Sequence, residues 1–100
     1  MHVQAGAQVI ACAGVFPYWE GRAQAWSVLS SDVGRYIFSV HRAVLHFLDG
    51  YPCRRVEIHV DPRNPLAVRW ATRLGFQYEG TMRAFTPNGT TMDLYARVRD

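Results

Sequence analysis

The chain contains no lysine, so its whole basic character rests on 11 arginines, and its net charge is only +3 with a pI near 9.2. Those arginines stand at 22, 35, 42, 54, 55, 63, 69, 73, 83, 97 and 99, spread along the sequence with no block of the kind that forms a nucleic-acid arm. A solvated surface is expected, and no nucleic-acid partner. Cysteine is equally scarce. Cys12 and Cys53 are 41 positions apart and fit no metal-ligand or redox spacing, which leaves buried, reduced thiols. No basic region followed by an apolar run opens the chain, and no stretch approaches the ~18 apolar residues of a membrane span. Secretion and membrane insertion thus lack support, and the cytoplasm is the expected location. Charged residues make up only 19% against 49% apolar and 13% aromatic, a balance that excludes disorder and supplies a packed core. Repeats, low-complexity tracts and linkers are missing too, so residues 1–100 read as one domain.

What is present alternates between strand and helix patterns. Gln8 to Phe16 is β-branched and small with apolar residues on both faces, as in a central strand, and Pro17 is expected to end it. The turn around Glu20-Gly21-Arg22 leads into Ala23–Leu29, a strand able to pair back as a hairpin. His2 to Gly6 suits a brief edge strand. Ser30-Ser31-Asp32 offers N-caps to a helix near Gly34–Leu48, in which Ile37, Val40, Val44 and Leu48 recur at helical spacing. Asp49-Gly50-Tyr51-Pro52 stops it, and Arg55–Val60 alternates as a strand. Strand, helix and strand at this separation predict a parallel βαβ unit.

Asn64 and Pro65 then signal a helix start, the first as cap and the second as a residue that loses no needed hydrogen bond there. Leu66, Ala67, Trp70, Ala71 and Leu74 form its apolar face. Gly75 is placed to end it in a left-handed conformation, with Phe76 folding back. Gln77–Phe85 and Thr90–Val98 flank Thr86-Pro-Asn-Gly89, strong turn chemistry for a closing antiparallel hairpin. The fold class expected is α/β (α+β): a mixed sheet with a hairpin, a central βαβ unit, a second helix and a C-terminal hairpin.

The segment Asn64-Pro-Leu-Ala67-Val-Arg-Trp-Ala-Thr-Arg-Leu-Gly75-Phe76, followed by Glu79-Gly80, resembles the carboxy-terminal half of GNAT (GCN5-related N-acetyltransferase) domains, in which an Asn-x-x-Ala helix ends in Leu-Gly-Phe. The order of the preceding elements fits the same family from about Gln8 onward. Met82–Gly89 and Leu94–Arg97 most resemble GNAT-like proteins of phages and prophages. The resemblance implies acetyl-CoA as acyl donor, held where two parallel strands splay, with its pyrophosphate at a helix amino terminus, where unpaired N–H groups favour an anion. Those positions are Leu29, Ser31, Gly34, Arg35 and Tyr36 here, and Asn64 would reach the cofactor from the second helix.

The chain also departs from the family. The glycine-rich phosphate loop is replaced by Ser30–Tyr36, with one glycine and with Asp32 set to repel a diphosphate. Ala71 stands where the family often carries the tyrosine that protonates the departing thiolate, and Trp70 beside it is no useful acid. The family's first strand and first two helices have no counterpart before Gln8, so a shortened form or a fragment is expected.

Among candidate catalytic residues, Glu57 and His59 alternate with Asp61 on one strand face, where a general base for an amine fits; solvent-facing polar residues explain the same pattern. His41 and His46, five apart, do not share a face at ligand spacing, and no metal site is expected. The Pro17-Tyr-Trp-Glu20 tip fits a wall of an acceptor site or packing over the sheet end. Trp26 and Trp70 read as core. Two functions follow: transfer of acetyl from acetyl-CoA to the amine of a small molecule or peptide, or a GNAT-like binding or structural module without catalysis. An exposed amino-terminal strand at a sheet edge is expected to be hidden by self-association as a homodimer.

Overall fold

The computed structural model describes residues 2–5, 8–29 and 33–99. Ser30, Ser31 and Asp32 lie outside them, and with them the expected capping and phosphate contacts of those three residues. Six strands form one mixed sheet: β1 (His2–Ala5), β2 (Gln8–Trp19), β3 (Arg22–Leu29), β4 (Arg55–Val60), β5 (Gln77–Met82) and β6 (Met92–Val98), in the order β1-β2-β3-β4-β6-β5. Helix α1 (Ile37–Gly50) joins β3 to β4, and α2 (Pro65–Arg73) follows β4. The expected mixed sheet is the observed one. Only β3 and β4 pair in parallel; β1 lies at one edge and β5 at the other.

Alternation along the strands decides the two faces of the sheet. Val56 and Val60 of β4 join Ala11 and Tyr95 in one buried cluster with Val40, Val44 and Leu48 of α1, Ala71 and Leu74 of α2, and Phe76. Both helices therefore cover the same face. The i, i+4, i+8 spacing of Val40, Val44 and Leu48 produces this directly, because it lays one apolar stripe along α1. The opposite face carries Phe16, Gln24, Trp26, Glu57 and His59, and no helix among the described residues packs on it. Trp26 is 47% exposed, a correction to its reading as core: its ring lies over Gly14, where a Cβ would stand 2.5 Å from it. The missing side chain makes a shelf for the indole, which then shields β2 from the open side.

Several boundaries differ from the sequence expectation. β2 runs on past Pro17 to Trp19, because its register shifts between these two residues at the strand's end, where the missing N–H of proline is tolerated. α1 is preceded by a 3₁₀ turn, Val33–Tyr36, and the α-helix proper starts at Ile37 without a side-chain cap. Its other end is held from a distance. The Arg99 guanidinium, carried past the end of β6, donates to the carbonyls of Leu48 and Asp49, each at 2.5 Å, placing a cation at the negative helix terminus. Leu66 is 69% exposed, not part of the α2 core face, since it lies in the first turn ahead of the residues that reach the sheet. The closing hairpin is shorter in its strands than expected, and its turn is fixed by Gly89 N–H on the Thr86 carbonyl at 2.8 Å. Cys12 and Cys53 are unpaired and half-buried instead of buried. No helix of the described residues is long and apolar enough to cross a membrane.

Where α2 ends, Gly75 adopts φ +93, a region that side chains rarely enter. This turn lets the Phe76 N–H reach back to the Ala71 carbonyl at 3.0 Å and drives the phenyl ring into the core, 3% exposed.

Candidate functional site

β3 and β4 are bonded only at their beginnings, Arg22 to Arg55, Ala23 to Val56 and Gln24 to Glu57; beyond that point they part. Between them opens a cleft of about 260 Å³, walled by Ala25, Ile58, Leu74 and Phe76 and edged by His59 and Trp70. Parallel strands end at the same end of a sheet, so Leu29, the turn holding Gly34, Arg35 and Tyr36, and the amino terminus of α2 at Asn64 all follow from that one end. Gly34 and Arg35 are exposed and Tyr36 is half-buried. The Arg35 guanidinium stands 5.9 Å from the Tyr36 ring centroid and has no anionic partner among the described residues.

Asn64 caps α2 as its sequence position predicts, its Oδ1 accepting from the Ala67 N–H at 3.1 Å, while its amide nitrogen has no partner among the described residues. Asn64→Ala should lower the unfolding free energy by about 1 kcal/mol, the ordinary worth of a cap, as read by chemical denaturation. A loss within 0.2 kcal/mol, on the order of error in such measurements, would mean that Pro65 alone sets the helix start.

Glu57 and His59 share the open face but not their surroundings. Glu57 is 3% exposed and is held by three hydrogen bonds: Arg22 Nε at 2.5 Å and Nη2 at 2.9 Å, and Arg55 Nε at 2.7 Å. Arg55 continues across β6 to Glu79 at 2.5 and 2.9 Å, over the small Ala96 that pairs with Glu57. Arg22 in turn is enclosed by the Tyr18 and Trp19 rings, 4.5 and 4.6 Å from their centroids. The hydrogen bonds from Arg22 and Arg55 bring the Glu57 carboxyl down to about 2. A carboxylate so stabilised is a weak proton acceptor. His59 edges onto the Phe85 ring at 4.8 Å and contacts Gln24 through Nδ1 at 3.1 Å. Burial lowers its proton affinity, against a smaller opposing pull from the Glu57 charge.

Ala71, 3% exposed, is a core residue and presents nothing polar to the cleft. Trp70 donates from Nε1 to His41 Nδ1 at 3.0 Å, tying α2 to α1 behind the cleft. Among the described residues no three metal-ligating side chains converge. Sequence reasoning missed Gln24 as the partner of His59, and Tyr18 as the partner of Gln24. No signal in the sequence marks the Gln24–His59 link, because it depends on the register of β3 against β4, between residues 35 apart in the chain.

No family model matches the chain, and no curated protein sequence does. Solved structures do. A probable acetyltransferase of the GNAT family from Chromobacterium violaceum superposes with TM-score 0.78 at 22% identity, over 97% of this chain and 56% of that one. The ribosomal-protein-S5-alanine acetyltransferase from Vibrio fischeri gives TM-score 0.75 at 17% identity, over 95% and 57%. A chimeric spermidine N-acetyltransferase from Vibrio cholerae gives 0.73 at 16%, over 95% and 62%. The chain thus spans less than two thirds of the length of each. The fold is that of the GNAT acetyltransferases.

Proposed function

We propose that this chain is a GNAT-type N-acetyltransferase domain that takes acetyl-CoA between β3 and β4 and passes the acetyl group to the amine of a small molecule or peptide. The observation that carries this reading is the parting of the two parallel strands after Gln24 and Glu57, which opens an apolar-walled cleft between them. Its lining by Ala25, Ile58, Leu74 and Phe76 suits a pantetheine arm; the Arg35 guanidinium and the Asn64 amide nitrogen, without anionic or hydrogen-bond partners among the described residues, stand at the end where phosphates would lie. Bound acetyl-CoA supplies a thioester whose acetyl carbon forms a C–N bond to the amine as the C–S bond breaks. His59 offers its Nε2 to the site, while Glu57 fixes Arg22 and Arg55 and with them the joined end of the two strands. Water on the open face takes the amine's proton and returns one to the thiolate, since Ala71 has none to give. An amine acceptor also matches two of the structural neighbours, a spermidine N-acetyltransferase and a ribosomal-protein-S5-alanine acetyltransferase.

A second reading is a cytoplasmic binding or structural module of phage origin without catalysis, favoured by the burial of Ala71 and by the full engagement of Glu57. In either case β1, an edge strand with unpaired backbone groups, gives a second copy of the chain a surface for a homodimer. Thermal unfolding with and without millimolar acetyl-CoA tests the first reading: a ligand of the native state raises the melting temperature, here by several degrees at concentrations well above Kd. No rise would overturn the first reading and leave the second. A rise without release of free CoA thiol in the presence of polyamines and amino-terminal peptides would select the second.

A further inference from the structure

Three side chains on the open face are joined end to end. The Tyr18 hydroxyl meets Gln24 Oε1 at 2.5 Å, and Gln24 Nε2 meets His59 Nδ1 at 3.1 Å. A primary amide accepts at one end and donates at the other, so the chain has a direction. With its carbonyl toward Tyr18, Gln24 accepts from the phenol and donates to Nδ1, and the imidazole proton must then sit on Nε2. Turned round, Gln24 would donate to the phenol oxygen and accept from a protonated Nδ1.

Three features favour the first arrangement. A phenol oxygen shares its lone pair with the ring and is a better donor than acceptor. The Arg22 guanidinium, 4.5 Å from the centroid of that same ring, draws electron density further from the oxygen. His59, part-buried against Phe85, has one N–H to place and not two, since burial works against the imidazolium. The charged groups nearby do not reverse this. Glu57, two residues along β4, is already matched by Arg22 and Arg55; α1 and α2 turn Val44, Leu48, Trp70 and Leu74 to the cleft, none of them ionisable, and His41 is held by Trp70.

We propose that the Tyr18–Gln24–His59 chain fixes His59 as its Nε2–H tautomer, so that it meets a ligand in the β3–β4 cleft as a hydrogen-bond donor to an oxygen, such as an acyl carbonyl, and not as a base. The tautomer follows from the hydrogen-bond chain alone; its use toward an acyl oxygen rests on the acetyltransferase reading. Nε2 has no partner among the described residues, which leaves its proton for that ligand. For His59 to accept a second proton, the Gln24 amide must rotate and the Tyr18 hydroxyl must reverse, so the three residues change state together.

The test uses the full chain, ¹⁵N-labelled and free of ligand, with two-bond ¹H–¹⁵N correlations recorded near pH 8 and through an acid titration. The parent should show His59 with Nε2 protonated and Nδ1 bare. In Gln24→Glu a carboxylate at the same place can only accept; the proton should move to Nδ1 and the titration midpoint should rise by about one pH unit or more. Tyr18→Phe, which keeps the ring under Arg22, frees the amide and should give averaged tautomer signals. A parent spectrum with Nδ1 protonated, or averaged between tautomers, would overturn the proposal, as would an unchanged spectrum in folded Gln24→Glu. Because the readout is on the free protein, it stands apart from acetyl-CoA binding: failure of that binding removes the proposed use of the donor and leaves the tautomer result intact.

Discussion

Glu57→Ala is expected to lower the unfolding free energy by about 3 kcal/mol at neutral pH, toward the lower end for breaking a buried ion pair. The buried carboxylate is the common anion of Arg22 and Arg55, which stand side by side at the start of the parallel pairing. Removing it leaves two guanidinium groups facing each other on the short stretch where β3 and β4 are bonded. The effect stays below the top of the range because the arginine side chains are 32% and 27% exposed and can turn toward water. Glu57→Gln, of the same shape but without charge, should recover only part of the loss. The acid limb adds a second signature. The folded-state carboxyl titrates at about 2, below its ordinary 4.5, so between those values the unfolded chain binds more protons. The contribution of Glu57 is thus fully present above about pH 4.5 and is lost as pH falls through 2; in Glu57→Gln this part of the acid sensitivity should be gone. Urea unfolding of the three proteins between pH 2.5 and 7, roughly the span of this linkage, decides the matter. Equal stability of Glu57→Gln and parent throughout would mean that the ion pairs contribute nothing.

Phe76→Ala should cost about 3–5 kcal/mol, the range for deleting a buried phenyl ring. The ring is 3% exposed and touches the common cluster of both helices and the sheet, and it is also a wall of the cleft. In a domain whose whole stability is of order 5–15 kcal/mol, such a loss leaves a protein partly unfolded at 37 °C. Phe76→Leu, which retains most of the volume, should lose about 1 kcal/mol and keep the fold, which separates the wall's effect on ligand binding from its effect on stability. Denaturation midpoints with unchanged slope are the measurement; a loss under 1 kcal/mol for the alanine variant, on the order of a surface substitution, would show that the ring is not the keystone its burial indicates.

The elements themselves were legible in the sequence wherever one rule acted within a few residues. Val40, Val44 and Leu48 announce a helix stripe, Asn64-Pro65 its successor's start, and Gly75-Phe76 that helix's end, because spacing, caps and glycine's conformational range are local properties of the chain. The same reading misplaced Trp26, whose apolar bulk suggested a core while the partner residue that shelves it, Gly14, lies on another strand. It also saw Glu57 and His59 as equals two residues apart on one face. The structure separates them, since one faces two arginines and the other a glutamine and a phenyl ring.

What the sequence alone determined is therefore the order of strands and helices, the mixed sheet with its parallel pair, and a resemblance to the GNAT fold. Which side chains meet where β3 and β4 pair and part was decided only by tertiary structure. Gln24 reaches His59, and Arg22 reaches Glu57, across 35 residues of chain in each case. Such contacts are fixed by the register of β3 on β4, which depends on the burial of a whole sheet face, a balance that no local pattern carries.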